Sequence, residues 1–243
     1  IGNVYYNKGD YNKALEYYQK SYEIRKIAYA DNPNHPNIAQ SLKNIGNVYD
    51  EKGDYDKALE YYQKSYEIDK INYADNPNHP DIAVSLNNIG NVYNNKGDYN
   101  KALEYYQKSY EIRKIAYADN PNHPDIAASL YNIGNVYYNK GEYDKALEYY
   151  QKSYEIRKIA YADNPNHPNI AQSLKNIGNV YDEKGDYDKA LEYYQKSYEI
   201  DKINYADNPN HPDIAVSLNN IGNVYNNKGD YNKALEYYQK SYE

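Results

Sequence analysis

The chain of 243 residues is long enough for a substantial core, and its 38 tyrosines, with Phe, Trp, Met and Cys all absent, leave tyrosine to do the aromatic packing. Without cysteine there is no disulfide framework, no thiolate chemistry and no cysteine-ligated zinc. A net charge of -7 argues against nucleic acid as a partner, since a phosphate backbone needs clustered Lys and Arg.

The chain opens on Ile1-Gly2-Asn3-Val4-Tyr5, which resembles no secretory leader, and no apolar run is long enough to enter a membrane. A cytoplasmic location is the default expectation. The same five residues recur from Ile45, Ile89, Ile133, Ile177 and Ile221, a period of 44. The expected organisation is therefore one tandem-repeat array over 1–243, with units 1–44, 45–88, 89–132, 133–176 and 177–220 and a partial unit 221–243. A second level lies above the first. Residues 45–88 are identical to 177–220, and 89–111 to 221–243, so a pattern of three repeats returns every 132 residues.

Within a unit, Ile38, Ala39, Leu42, Ile45, Gly46 and Tyr49 are spaced as the stripe of an amphipathic helix running from Pro36 to Lys52. Pro36 suits the first helical turn and Gly53 the left-handed position that ends a helix. A second stripe through Tyr55, Ala58, Leu59, Tyr62, Tyr66, Ile68, Ile71 and Tyr73 predicts a second helix. Its apolar residues cover more of the circumference than those of the first. It is thus expected to pack against both its own partner helix and the next repeat. Asp75-Asn76-Pro77-Asn78-His79-Pro80 breaks it and restarts the cycle. A lone helical pair cannot bury such faces, whereas stacked pairs share one core.

Leu42, Ile45, Gly46, Tyr49, Gly53, Asp54, Tyr55, Ala58 and Tyr62 match the spacing of the tetratricopeptide repeat, which the whole chain resembles. The unit of 44 residues exceeds the usual ~34 and is similar to the longer repeats of kinesin light chains. Tyr62 replaces the common Phe and Ser65 a small Ala. The Pro that normally closes the second helix is missing, which predicts a longer helix there. The resemblance implies an all-α, right-handed superhelical solenoid whose concave groove, lined by the first helix of each repeat, binds extended peptides. It implies a protein-interaction scaffold with protein or peptide partners.

Four variable positions lie on the first helix of each repeat: Gln40, Lys43, Asp50 and Glu51 in one copy, Val84, Asn87, Asn94 and Asn95 in the next, then Ala128, Tyr131, Tyr138 and Asn139. The resemblance places them on the concave face, where they either tune a ligand or drift unconstrained. Beside them runs an invariant row, Asn3, Asn47, Asn91, Asn135, Asn179 and Asn223. An amide offers donors and an acceptor to an extended backbone, or else links neighbouring helices and binds nothing. By resemblance Lys43 with Asn47 is similar to part of a carboxylate clamp, but Ala128 and Asn132 stand where further cations belong. The candidate peptide-binding residues are Asn47, Asn91, Asn135, Asn179, Lys43, Asn87, Tyr131, Lys175 and Tyr138.

His35, His79, His123, His167 and His211 each precede a Pro and are read as helix-entry residues, too far apart to share a metal ion. No motif pairs a nucleophile with a base and there is no Gly-rich phosphate loop, so neither catalysis nor a cofactor is expected. On the second helix, Arg25 varies with Ala28, Asp69 with Asn72, Arg113 with Ala116, Arg157 with Ala160 and Asp201 with Asn204. Opposite charges are expected side by side on the outer surface. The alternative to a scaffold is a structural spacer or an array that self-associates end to end through uncapped terminal repeats.

Overall fold

The computed structural model describes residues 1–242. It separates into two compact units, Ile1–Asp119 and Asn120–Glu243. The first holds α1 (Gly2–Asn7), α2 (Tyr11–Ala28), α3 (Pro36–Glu51), α4 (Tyr55–Asn72), α5 (Pro80–Asn95) and α6 (Tyr99–Ala116). The second holds α7 (Pro124–Asn139), α8 (Tyr143–Ala160), α9 (Pro168–Glu183), α10 (Tyr187–Asn204), α11 (Pro212–Asn227) and α12 (Tyr231–Tyr242). No strand occurs among the described residues. Odd-numbered helices are called A and even-numbered helices B. Each A helix pairs with the B helix that follows it, and within each unit each B helix also packs on the next A helix.

The helix boundaries follow from local chemistry. Pro36 opens α3 without wasting an N–H, and His35 caps it by accepting the Asn37 N–H at Nδ1 (3.1 Å). At the other end Gly53 takes φ +73°, a conformation that a side chain disfavours. Its N–H donates to the Asp50 carbonyl and that of Asp54 to the Tyr49 carbonyl, closing a Schellman turn. Asp54 then caps α4 by accepting the Lys57 N–H. Three residues, Lys52, Gly53 and Asp54, therefore reverse the chain. α4 spans 18 residues against 16 for α3.

The core sits on the A helices. α3 buries Ile38, Ala39, Leu42, Ile45, Gly46 and Val48, whereas α4 buries only Ala58, Tyr62, Ser65 and Asp69. The wide apolar face read on the B helix is real as composition but not as burial. Tyr55, Tyr61 and Tyr66 stay half-buried because each hydroxyl keeps access to water or a polar partner, and Ile71 remains exposed. Gly46 lets the two helices approach: a Cβ there would lie 2.7 Å from the Tyr62 ring. Buried Ser65 hydrogen bonds to the Ala39 carbonyl (3.1 Å), which explains a serine where an alanine is usual.

Candidate functional site

The asparagine row is held in one orientation by the B helices. Tyr62 donates its hydroxyl to Asn47 Oδ1 at 2.6 Å, and the same bond joins Tyr106 to Asn91 (2.6 Å), Tyr150 to Asn135 (2.7 Å) and Tyr194 to Asn179 (2.7 Å). Burial raises the ionisation of Tyr62 far above the ordinary phenol range, so the hydroxyl stays a donor. The amide oxygen is thereby committed within the repeat. The half-buried amide nitrogens of Asn47, Asn91, Asn135 and Asn179 have no hydrogen-bond partner among the described residues. The row therefore presents donors rather than a mixture of donors and acceptors. Also on α3, Asn44 accepts from Gln40 Nε2 (3.0 Å).

The other candidate residues are engaged inside the protein. Lys43 is only 9% exposed and pairs with Asp69 at 2.9 Å, and Lys175 lies 3.6 Å from Asp201. Tyr131 lies 5.8 Å from the Tyr150 ring and receives the Arg157 guanidinium at 5.0 Å. Tyr138 donates to Glu183 Oε1 (3.4 Å), and burial together with Glu183 pushes its hydroxyl up to about 12. Asn87 is half-buried on α5.

These contacts account for most of the variation along the A helices. Tyr6 on α1 meets Glu51 on α3 (3.2 Å), and Tyr138 on α7 meets Glu183 on α9. Asp50 accepts from Asn95 (3.1 Å) and Asp182 from Asn227 (3.3 Å). Burial lifts the Asp50 carboxyl above its usual range; the Asn95 bond works against this and Glu51 adds to it. The C-cap Lys52 reaches back to Asn12 (2.7 Å), and Lys96 to Asp56 (2.6 Å). A residue that differs from repeat to repeat is thus matched to the neighbour it touches. Such pairing is visible in one sequence only by comparing positions 45 or 40 residues apart.

The charges expected on the outer surface are instead buried. Asp69, Arg113, Arg157 and Asp201 are at most 6% exposed. They sit on the inner face of the B helix, in line with Ala58, Tyr62 and Ser65. Asp69 joins Lys43 to Ser85, whose hydroxyl donates to it at 2.6 Å. Arg157 donates to the Asn169 carbonyl and the Ser173 hydroxyl, both at 2.9 Å. The reason lies in the partners: the constant serine of the next A helix can donate to an Asp or accept from an Arg. Position 43 changes with position 69: Lys43 pairs with Asp69, and the Tyr131 ring lies under the Arg157 guanidinium in the corresponding repeat.

The histidines sit at helix entry. The rings of His35, His79, His167 and His211 each stack on the tyrosine six residues before, Tyr29 on His35 at 3.6 Å and Tyr73 on His79 at 3.5 Å between centroids. No group of three or more His, Cys, Asp or Glu able to hold a metal ion exists among the described residues, and no described helix is long and apolar enough to cross a membrane.

The tetratricopeptide repeat family matches residues 1–71, 81–159 and 125–203, and a second model of the same repeat matches 215–243. No curated protein matches the sequence. Among solved structures, the chain is similar to BtubC (BKLC) from P. vanneervenii, with TM-score 0.76 and 20% identity over 95% of this chain and 89% of that one. It is similar to the nearly identical kinesin light chain TPR-like repeats from Podosopora anserina, with TM-score 0.68 and 21% identity over 85% and 94%. MamA from Desulfovibrio magneticus RS-1 gives TM-score 0.56 and 22% identity over 84% and 92%. These likenesses carry the fold, and the Gly46–Tyr62 approach, the Gly53 turn and the 44-residue spacing agree with the family match. With repeat models matched along most of its length, the chain belongs to the tetratricopeptide repeat family.

Proposed function

We propose that this chain is a protein-interaction scaffold that binds extended peptide segments along the groove formed by its A helices, within one array running over 1–243. The observation that supports this reading is the row of Asn47, Asn91, Asn135 and Asn179, each turned by a tyrosine hydroxyl so that its amide N–H groups remain available. Within each unit such donors suit the carbonyl oxygens of an extended backbone, which every peptide carries, so recognition follows shape more than sequence. The acidic side chains of Asp50, Glu51, Asp182 and Glu183 favour neutral or mildly basic segments over acidic ones. Lys43 and Lys175 serve Asp69 and Asp201, so a carboxylate clamp is not part of the proposal. Tetratricopeptide arrays are in general non-enzymatic, and no catalytic role is proposed.

A peptide array probed with the intact chain and with an Asn47→Ala/Asn91→Ala variant tests the reading, with thermal melts showing that the variant is folded. Binding by the native chain that weakens at least tenfold in the variant supports it, and equal binding removes it. A second reading, a structural spacer or an end-to-end assembly of copies, draws support from the internal engagement of Lys43, Tyr131, Tyr138 and Lys175. Sedimentation over a range of concentrations tests its assembly branch; a monomer throughout excludes it.

A further inference from the structure

The five histidines share one geometry but not one electrostatic setting. In each, Nδ1 accepts the backbone N–H two residues on, at 3.1 or 3.2 Å. That bond requires a bare lone pair at Nδ1, so the proton of the neutral ring sits on Nε2. A second proton would turn the acceptor into a donor facing the positive end of a helix. What lies around the ring decides whether this can be offset. At His79, the carboxylate of Asp81 stands 3.8 Å from Nδ1 and accepts from the Tyr73 hydroxyl (2.6 Å), while Asp69 lies on the α4 side. His211 has the same surroundings: Asp213 at 3.7 Å, Tyr205 bonded to it, and Asp201 on α10. His123 has Asp125 at 3.9 Å.

At His35 the sequence replaces that Asp with Asn37, which donates to the Tyr29 hydroxyl (2.8 Å), and Arg25 of α2 sits on the Asn37 carbonyl (2.8 Å). His167 repeats this with Asn169, Tyr161 and Arg157. No carboxylate among these partners faces either ring, and a guanidinium stands close by. Two junctions in which α2 meets α3 and α8 meets α9 are thus built from neutral and cationic groups. Those between α4 and α5 and between α10 and α11 place a carboxylate, Asp81 or Asp213, beside the ring, and the Asp69 and Asp201 carboxylates behind it are paired with Lys43 and Lys175.

We infer that the histidine caps form a graded acid-sensitive device in which mild acid loosens the α2–α3 and α8–α9 junctions while the carboxylate-flanked α4–α5 and α10–α11 junctions hold. Protonation removes the cap at every junction. At His79 and His211 the imidazolium gains an ion pair in its place. At His35 and His167 it gains only repulsion from Arg25 and Arg157. Each unit carries one junction of each kind, so each becomes softer at one position rather than unfolding uniformly.

Hydrogen exchange of the intact chain at about pH 7.5 and about pH 5.5 tests this. Protection factors corrected for intrinsic rates are expected to fall about fivefold over 36–42 and 168–174, the factor for one lost N-cap, and to change less than about twofold over 80–86 and 212–218. Replacing His35→Asn and His167→Asn keeps an uncharged cap and is expected to abolish the loss. Asp81→Asn is expected to bring the fivefold loss to 80–86. Equal loss at both kinds of junction overturns the inference, as does a loss that survives the histidine substitutions or an Asp81→Asn chain that behaves as the native one.

Discussion

Tyr62 and Asn47 are joined by a 2.6 Å hydrogen bond from phenol to amide oxygen that fixes which way the amide faces. The bond links a buried B-helix ring to an A-helix surface residue and returns in the four following repeats. Tyr62→Phe removes the donor and is expected to cost about 1 kcal/mol of stability. It also frees Asn47 to rotate. A peptide that binds the native chain through the row should bind the Tyr62→Phe/Tyr106→Phe variant more weakly in calorimetry, although neither tyrosine touches the ligand.

The Lys43–Asp69 pair is buried on both sides, so breaking it should far exceed a surface ion pair in effect. Asp69→Ala leaves Lys43 without a counter-charge and the Ser85 hydroxyl without its acceptor, and is expected to cost about 3–5 kcal/mol in urea unfolding. Asp69→Arg should cost a similar amount. Combining it with Lys43→Tyr recreates the Tyr131–Arg157 pairing and is expected to recover most of the loss.

Gly46 packs against the Tyr62 ring where α3 meets α4. A methyl group would meet the Tyr62 ring at 2.7 Å, so Gly46→Ala is expected to cost about 1–3 kcal/mol despite the better helix propensity of alanine. Gly46→Ala/Tyr62→Leu should recover part of that loss if the clash is its cause.

Alkali should unfold the protein abruptly. Tyr73 and Tyr138 are each pushed up to about 12, the first mainly by its bond to Asp81 and the second mainly by burial. The folded state therefore holds these protons more tightly than the unfolded chain, where tyrosine ionises near ~10. Their stabilisation is complete below ~10 and is lost as pH rises through about 12. Phenolate absorbance followed together with circular dichroism should show these and the more deeply buried tyrosines ionising only as helicity is lost.

Helix limits were legible because Pro36 and Gly53 each permit one backbone role and reject others, and the asparagine row was legible because it never varies. The inner position of Asp69 was harder to see. It continues the line of Ala58, Tyr62 and Ser65 at helical spacing, but an ionised side chain is ordinarily assigned to water, and only its partner Lys43, on another helix, reverses that expectation. The histidine cap followed from its place before Pro, whereas the stack on Tyr29 depends on a loop path that spacing does not reveal. The availability of the Asn47 nitrogen was equally hidden, because an amide gives no sign in sequence of which end is already occupied.

The matched pairs Tyr6–Glu51 and Asp50–Asn95 also bear on how such a gene could change length. Near-identical repeats invite unequal recombination. Loss of the 44 residues 45–88 would bring Tyr6 opposite Asn95 instead of Glu51 and Lys43 opposite Arg113 instead of Asp69. Loss of the 132 residues 45–176 would bring Tyr6 opposite Glu183 and restore every neighbour relation at the join, because 177–220 repeats 45–88 without a difference. The heritable unit of length is therefore the triplet, and lineages that shorten or lengthen this array without disturbing its fold should do so by three repeats at a time.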